Sequence, residues 1–128
     1  MTFLLDTHVF LLLLRSPEEL PLAVREIAED ASASLVLSAV TPWEMAIKQT
    51  TGKLKAAELL DNFERVTAQA GLNILETTIP QVIRSGRLPL HHKDPFDRLL
   101  AAQALELRIA LLSADRIFDM YGVNRIWA

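Results

Sequence analysis

The chain has 128 residues, 51% of them apolar and 23% charged, with a formal net charge of −3 and no cysteine. That length suits one domain, residues 1–128, with a core of its own. The composition excludes intrinsic disorder, a disulfide scaffold, thiolate metal sites and a cysteine nucleophile, and the charge excludes binding to nucleic acid by bulk attraction alone.

Phe3-Leu4-Leu5 reads as a short buried strand ending at Asp6. The run Val9 to Leu14 comes next, apolar on all sides, so its helix is either buried all round or covered by a partner. Six residues are far too few to cross a membrane. The opening MTFLLDTHVF has no basic stretch and carries Asp6 and His8 within its apolar segment, so a cytoplasmic protein without a secretory signal is expected. Ser16-Pro17-Glu18-Glu19 has the residues of a helix start, with Leu20, Val24, Ile27 and Ala31 on one face. Leu35-Val36-Leu37 is a second strand, and Thr41-Pro42-Trp43-Glu44 opens the helix after it. Leu59, Phe63, Val66 and Ala70 form a further helical stripe, stopped by Gly71. Leu72 to Leu75 is a weaker third strand. Asp94-Pro95-Phe96-Asp97 starts a helix through Phe96, Leu99, Leu100, Ala104 and Leu107. Ile109 to Leu112 is a fourth strand, with Asp115 just beyond it, and Asn124 to Trp127 a fifth. Unbroken apolar runs alternating with helices imply an α/β sandwich with a mostly parallel sheet of four or five strands.

In such sheets the carboxyl ends of the strands line the ligand crevice. Asp6 and Asp115 fall there directly, and Glu44 with them if the second strand is parallel to the first. Asp97 is left unplaced, on the expectation that a helix leading into a parallel strand starts at the opposite end. Each acid also has an ordinary reading. Thr41 and Glu44 fit a capping box, Glu44 can pair with Lys48, and the aspartates can cap helices. As a cluster they mean more. Two carboxylates about 5 Å apart repel by about 3 kcal/mol at an effective dielectric near 20. A cation that takes oxygen ligands, Mg²⁺ or Mn²⁺, would relieve that cost and could promote phosphodiester hydrolysis.

The segments LLDTH (4–8), TPWEMAIKQTTGKL (41–54), LPLHHKDPFDRLLAAQA (88–104) and LLSADRIFDMYGV (111–123) occur in order along almost the whole chain. In these the sequence resembles the PIN-domain ribonucleases, specifically the toxins of VapBC-type toxin–antitoxin pairs. The resemblance implies a three-layer α/β/α sandwich that brings Asp97 to the other acids. It implies catalytic acids and Mg²⁺ or Mn²⁺ ligands at Asp6, Glu44, Asp97 and Asp115, with Asp6 and Asp97 the most direct. Thr7 and Ser113 match hydroxyl residues expected to orient the acids or water. Further implications are an endoribonuclease that leaves a 5′-phosphate, a cognate antitoxin as partner and a homodimer within their complex. Many relatives carry a Trp in the first helix, where this chain has leucines around Leu12.

Among the remaining residues, Lys48 and Arg98 are the foremost candidates for contacts to RNA phosphates. Lys53, Lys55, Arg84, Arg87 and Lys93 are further members of a basic rim. His91 and His92 read as loop residues rather than zinc ligands, Asp94 as a helix cap, and His8 as packed or hydrogen-bonded at its helix start. Phe96, Trp43 and Trp127 read as core, with base stacking as the other reading. Two alternatives stand beside the nuclease. One is a catalytically silent PIN-like module that binds RNA or a partner protein. The other is an aspartate phosphotransfer domain, opposed by His8 and Glu76 where such domains need aspartate.

Overall fold

The computed structural model describes residues 1–128. Five strands, β1 (Thr2–Leu5), β2 (Ser34–Ser38), β3 (Leu72–Leu75), β4 (Ala110–Leu112) and β5 (Arg125–Ile126), form one sheet in the order β3-β2-β1-β4-β5. Every neighbouring pair is parallel; Phe3 faces Leu35 on one side and Ala110 on the other. The chain builds outward from β1 to β2 and β3, then returns to place β4 on the opposite flank of β1. This reversal makes the switch point of the sheet, where crossovers diverge and leave a crevice.

Seven helices cover the sheet: α1 (Thr7–Arg15), α2 (Leu22–Glu29), α3 (Val40–Thr50), α4 (Ala57–Asp61), α5 (Phe63–Gln69), α6 (Ile79–Arg87) and α7 (Pro95–Leu107). Strand side chains alternate between the two layers. Phe3, Leu5, Leu35, Leu37 and Leu112 pack with Val9, Phe10, Val24 and Phe63 on one face. Leu4 and Leu111 turn to the other, against Leu100, Ala101 and Ala104 of α7 and Phe118 and Tyr121 of a 3-10 turn at Arg116–Tyr121. The small alanines let α7 lie close on the sheet. Leu4 has no exposed surface, and its truncation to Ala would cost roughly 2–5 kcal/mol.

Three local expectations change. The helix foreseen from Ser16 is a 3-10 turn, Pro17–Glu19, followed by α2, because Pro21 has no N–H to continue the ladder. Ser16 makes no side-chain cap there, and Ala31 lies beyond α2. The stripe at 59–70 divides at Asn62, whose side chain donates to the carbonyl of Glu58, into α4 and α5. Gly71 does end α5, with φ +76°. Helix α6 was not foreseen, although Thr78 and Gln81 form a full capping box ahead of it.

Helix α1 is neither hidden nor bare. Val9 and Phe10 are buried, while Leu11 to Leu14 are half-buried against the larger core cluster. No helix is long and apolar enough to cross a membrane.

Candidate active site

The four expected acids and Asp94 line one cleft of about 450 Å³, together with Thr7, His8, Lys48 and Lys53. Asp6 leaves β1 and caps α1, accepting the Val9 N–H at 2.8 Å. Asp115 lies beyond β4 and caps the 3-10 turn through the Ile117 N–H at 3.0 Å. Asp94 caps α7 through the Phe96 N–H at 2.8 Å. The ordinary capping readings therefore hold for these three, and capping leaves each carboxylate further acceptor capacity.

Asp97 reaches the cleft by normal crossover geometry, against the expectation drawn from chain direction. A helix that leads into a parallel strand runs antiparallel to it, so α7 begins at the carboxyl edge of the sheet and ends where β4 starts. Glu44 arrives differently from the capping box. Helix α3 starts at Val40, one residue before Thr41, and Ser38 Oγ accepts the Val40 N–H. Thr41 is thus buried inside the first turn, its hydroxyl 3.4 Å from that of Thr7.

Hydroxyls and cations hold the acids. Thr7 donates to Glu44 Oε1 at 2.7 Å, and Lys48 Nζ meets Glu44 Oε2 at 2.7 Å. Ser113 donates to Asp6 Oδ2 and accepts the Asp115 N–H at 3.0 Å. His92 Nδ1 faces the Asp94 N–H at 3.4 Å, and its Nε2 lies 2.9 Å from Asp97 Oδ2. The potential ligand atoms of His92, Asp94 and Asp97 lie within 4.8 Å of one another.

Charge in the cleft is unbalanced, with five carboxylates facing two lysines. Burial, then the charges of Asp94 and Glu44, push the Asp97 carboxyl up to about 6, against the pull of His92. Burial likewise raises Asp6, although Ser113 and the Val9 N–H favour its ionised form. Lys48 is raised in turn, chiefly by its hydrogen bond to Glu44. A divalent cation with oxygen ligands would offset the crowding that raises Asp97, and Asp97 Oδ1 and Asp115 Oδ2 take no protein donor. The donor set fits Mg²⁺ or Mn²⁺.

Three other expectations are corrected. Arg98 is not on the rim. It is buried, and its guanidinium donates to the carbonyls of Ser85, Leu88 and Pro89 at 2.9–3.0 Å. His8 is exposed on the cleft wall with no hydrogen-bond partner. Trp43 is 60% exposed rather than core, its ring 4.9 Å from that of Phe96. Trp127 is half-buried against the larger cluster. A roomier cavity of about 770 Å³ lies away from the acids, between the end of α1 and α4–α5, lined by Leu14, Leu54, Leu59 and Val66.

The family model of the PIN domain matches residues 3–124. Among solved structures, VapBC2 from Rickettsia felis, bound to a DNA fragment from its promoter, superposes with a TM-score of 0.71 at 15% identity, covering 100% of both chains. VapBC-1 from nontypeable Haemophilus influenzae gives 0.68 at 20% identity, over 98% of this chain and 97% of that one. FitAcB from Neisseria gonorrhoeae gives 0.64 at 20%, over 97% and 96%. No curated protein gives a significant sequence match.

Proposed function

The chain belongs to the PIN domain family, and from that premise we propose that it is a divalent-metal-dependent endoribonuclease acting as the toxin of a toxin–antitoxin pair. Residues 1–128 form its single PIN domain, working in the cytoplasm. The observation that carries the reading is the gathering of Asp6, Glu44, Asp97 and Asp115 on one cleft with too few cations to balance them.

Asp6 and Asp97 would hold Mg²⁺ or Mn²⁺, with Glu44 and Asp115 completing the acidic environment. Bound there, the ion supplies Lewis acidity, lowering the pKa of water and stabilising charge on a leaving oxygen. The chain's own residues set the stage. Ser113 fixes Asp6, Thr7 and Lys48 fix the two oxygens of Glu44, and His92 fixes one oxygen of Asp97. Lys48 and Lys53 offer charge to flanking phosphates. Hydrolysis in line with the 3′-oxygen leaves a 5′-phosphate and does not use the 2′-hydroxyl.

The VapBC and FitAcB neighbours support a cognate antitoxin as partner, and the homodimer within the complex is part of the same proposal. The half-buried leucines of α1 beside the 770 Å³ cavity give such a partner apolar surface. The test is induced expression of wild type and Asp97→Asn without partner, scoring growth and sequencing RNA 5′ ends. Arrest with discrete new 5′-phosphate ends in the wild type alone is the expected result. Equal arrest by both proteins would favour a silent binding module.

A further inference from the structure

We propose that Tyr121 is a positioning residue of the acidic cleft: its hydroxyl fixes the backbone of His92, so that the His92 ring holds Asp97 in place for a divalent cation. This rests on the reading of the cleft as a metal site. Asp97 lines the cleft and Tyr121 does not, so the phenol works at one remove.

The segment that carries His92 has little structure of its own. Residues 88–94, between α6 and α7, form no helix or strand, and their one internal backbone bond joins the His91 N–H to the Pro89 carbonyl at 2.9 Å. Side chains set its place instead. The Tyr121 hydroxyl oxygen accepts the His92 N–H at 2.9 Å, and the tyrosine ring meets that of His91 with centroids 5.3 Å apart. Arg98 Nη1 lies 3.4 Å from the His92 carbonyl and 3.5 Å from the Tyr121 hydroxyl. His92 is thereby held by both its N–H and its C=O. From that fixed backbone its ring reaches Asp97 Oδ2 at 2.9 Å. The other oxygen of Asp97 is left for a cation.

Tyr121 is itself anchored. Its ring is buried among Leu4, Leu100, Leu111 and Phe118, and it ends the 3-10 turn that Asp115 caps. The phenol therefore joins the lobe bearing Asp115 to the lobe bearing Asp94 and Asp97. Packing against the sheet would be served equally by phenylalanine; the hydroxyl serves the loop.

The experiment measures Mg²⁺ and Mn²⁺ binding to the whole chain by calorimetry, after metal has been stripped with EDTA and the chelator removed. His92→Ala should weaken Mn²⁺ binding by about 10- to 100-fold, as loss of an outer partner of a metal ligand does. Tyr121→Phe should weaken it by about 3- to 10-fold, the equivalent of one hydrogen bond. In the His92→Ala background, Tyr121→Phe should cost no further affinity, since the route it acts through is gone. His91→Ala, which removes only the ring contact, should bind as wild type does. Circular dichroism and urea unfolding in EDTA check that the variants fold. A Tyr121→Phe protein that loses stability but binds Mn²⁺ as wild type does overturns the proposal and leaves the metal site standing. An equal loss of affinity in both backgrounds also overturns it, because the hydroxyl would then act by a route other than His92. A wild type that binds neither ion overturns both readings.

Discussion

Ser113 donates its hydroxyl to Asp6 across 107 positions of sequence. The two residues end adjacent parallel strands, so the bond closes the switch point of the sheet at its acidic mouth. The same oxygen accepts the Asp115 N–H, which ties two of the four acids to one small side chain. Ser113→Ala should lower stability by about 1–3 kcal/mol, since it strands a buried carboxylate oxygen. It should also raise the Asp6 carboxyl further, because this bond favours the ionised form. Urea unfolding and a pH profile of cleavage measure the two effects. An acid limb that stays in place would show that Ser113 only packs.

Asp97 makes stability depend on pH in a direction opposite to most carboxylates. Its folded value of about 6 lies above the ordinary 3.8. Between them the folded chain keeps a proton that the unfolded chain has lost, so stability from this group falls as pH rises from about 4 to 6. The resulting penalty at neutral pH is on the order of 2–3 kcal/mol. In metal-free buffer, Asp97→Asn should match wild type in melting temperature near pH 4 and exceed it at pH 7. Saturating Mg²⁺ should raise the wild type and leave the variant nearly unmoved. A variant less stable than wild type at pH 7 without metal would contradict the charge crowding.

Arg98 neighbours Asp97 in sequence and faces away from the cleft. Its guanidinium gathers carbonyls from the end of α6 and the loop after it, including His92 at 3.4 Å. Arg98→Ala should cost on the order of 3 kcal/mol by leaving several carbonyls without donors. Arg98→Lys should recover little, because an ammonium cannot reproduce the planar fork. Denaturant midpoints test this. A loss under about 1 kcal/mol would show that the loop holds itself.

Arg108 ends α7 in the left-handed region, at φ 54° and ψ 46°, where an L side chain is strained. It is exposed and serves mainly as backbone. Arg108→Gly should stabilise the protein by about 0.5–1 kcal/mol, the relief of strain outweighing the added freedom of the unfolded chain. A melting temperature equal to or below wild type would mean that the arginine side chain contributes more than its exposure implies.

The three central strands were legible because buried parallel strands leave unbroken apolar runs, whereas β3 and β5, at the edges with Asn73 and Arg125 in them, gave a weaker signal. The acids after β1 and β4 were legible because a residue just past a parallel strand must stand at the carboxyl edge of the sheet. Asp97 was left unplaced through a wrong sense of helix direction, and the family likeness supplied what the pattern argument lacked. Arg98 escaped because a cation beside a site acid invites a phosphate. A signal against that was present in the apolar run Leu99 to Ala102, which opens the buried stretch 98–104. A rim cation does not belong at the head of such a run. Helix α6 was missed through its polar sequence, although Thr78-x-x-Gln81 announced it. Trp43 defied its composition, since no periodicity separates a core tryptophan from an exposed one.

The pairing of β1 with β4 also sets a schedule. Asp6 leaves the ribosome about a hundred residues ahead of Ala110–Leu112, the strand that must lie beside it. Contacts of such long sequence separation form late and slowly. The cleft is therefore incomplete until β4, with Ser113 and Asp115 beyond it, has joined the sheet beside β1. If the proposed ribonuclease reading holds, nascent chains stalled before Ile109 should show no RNA cleavage.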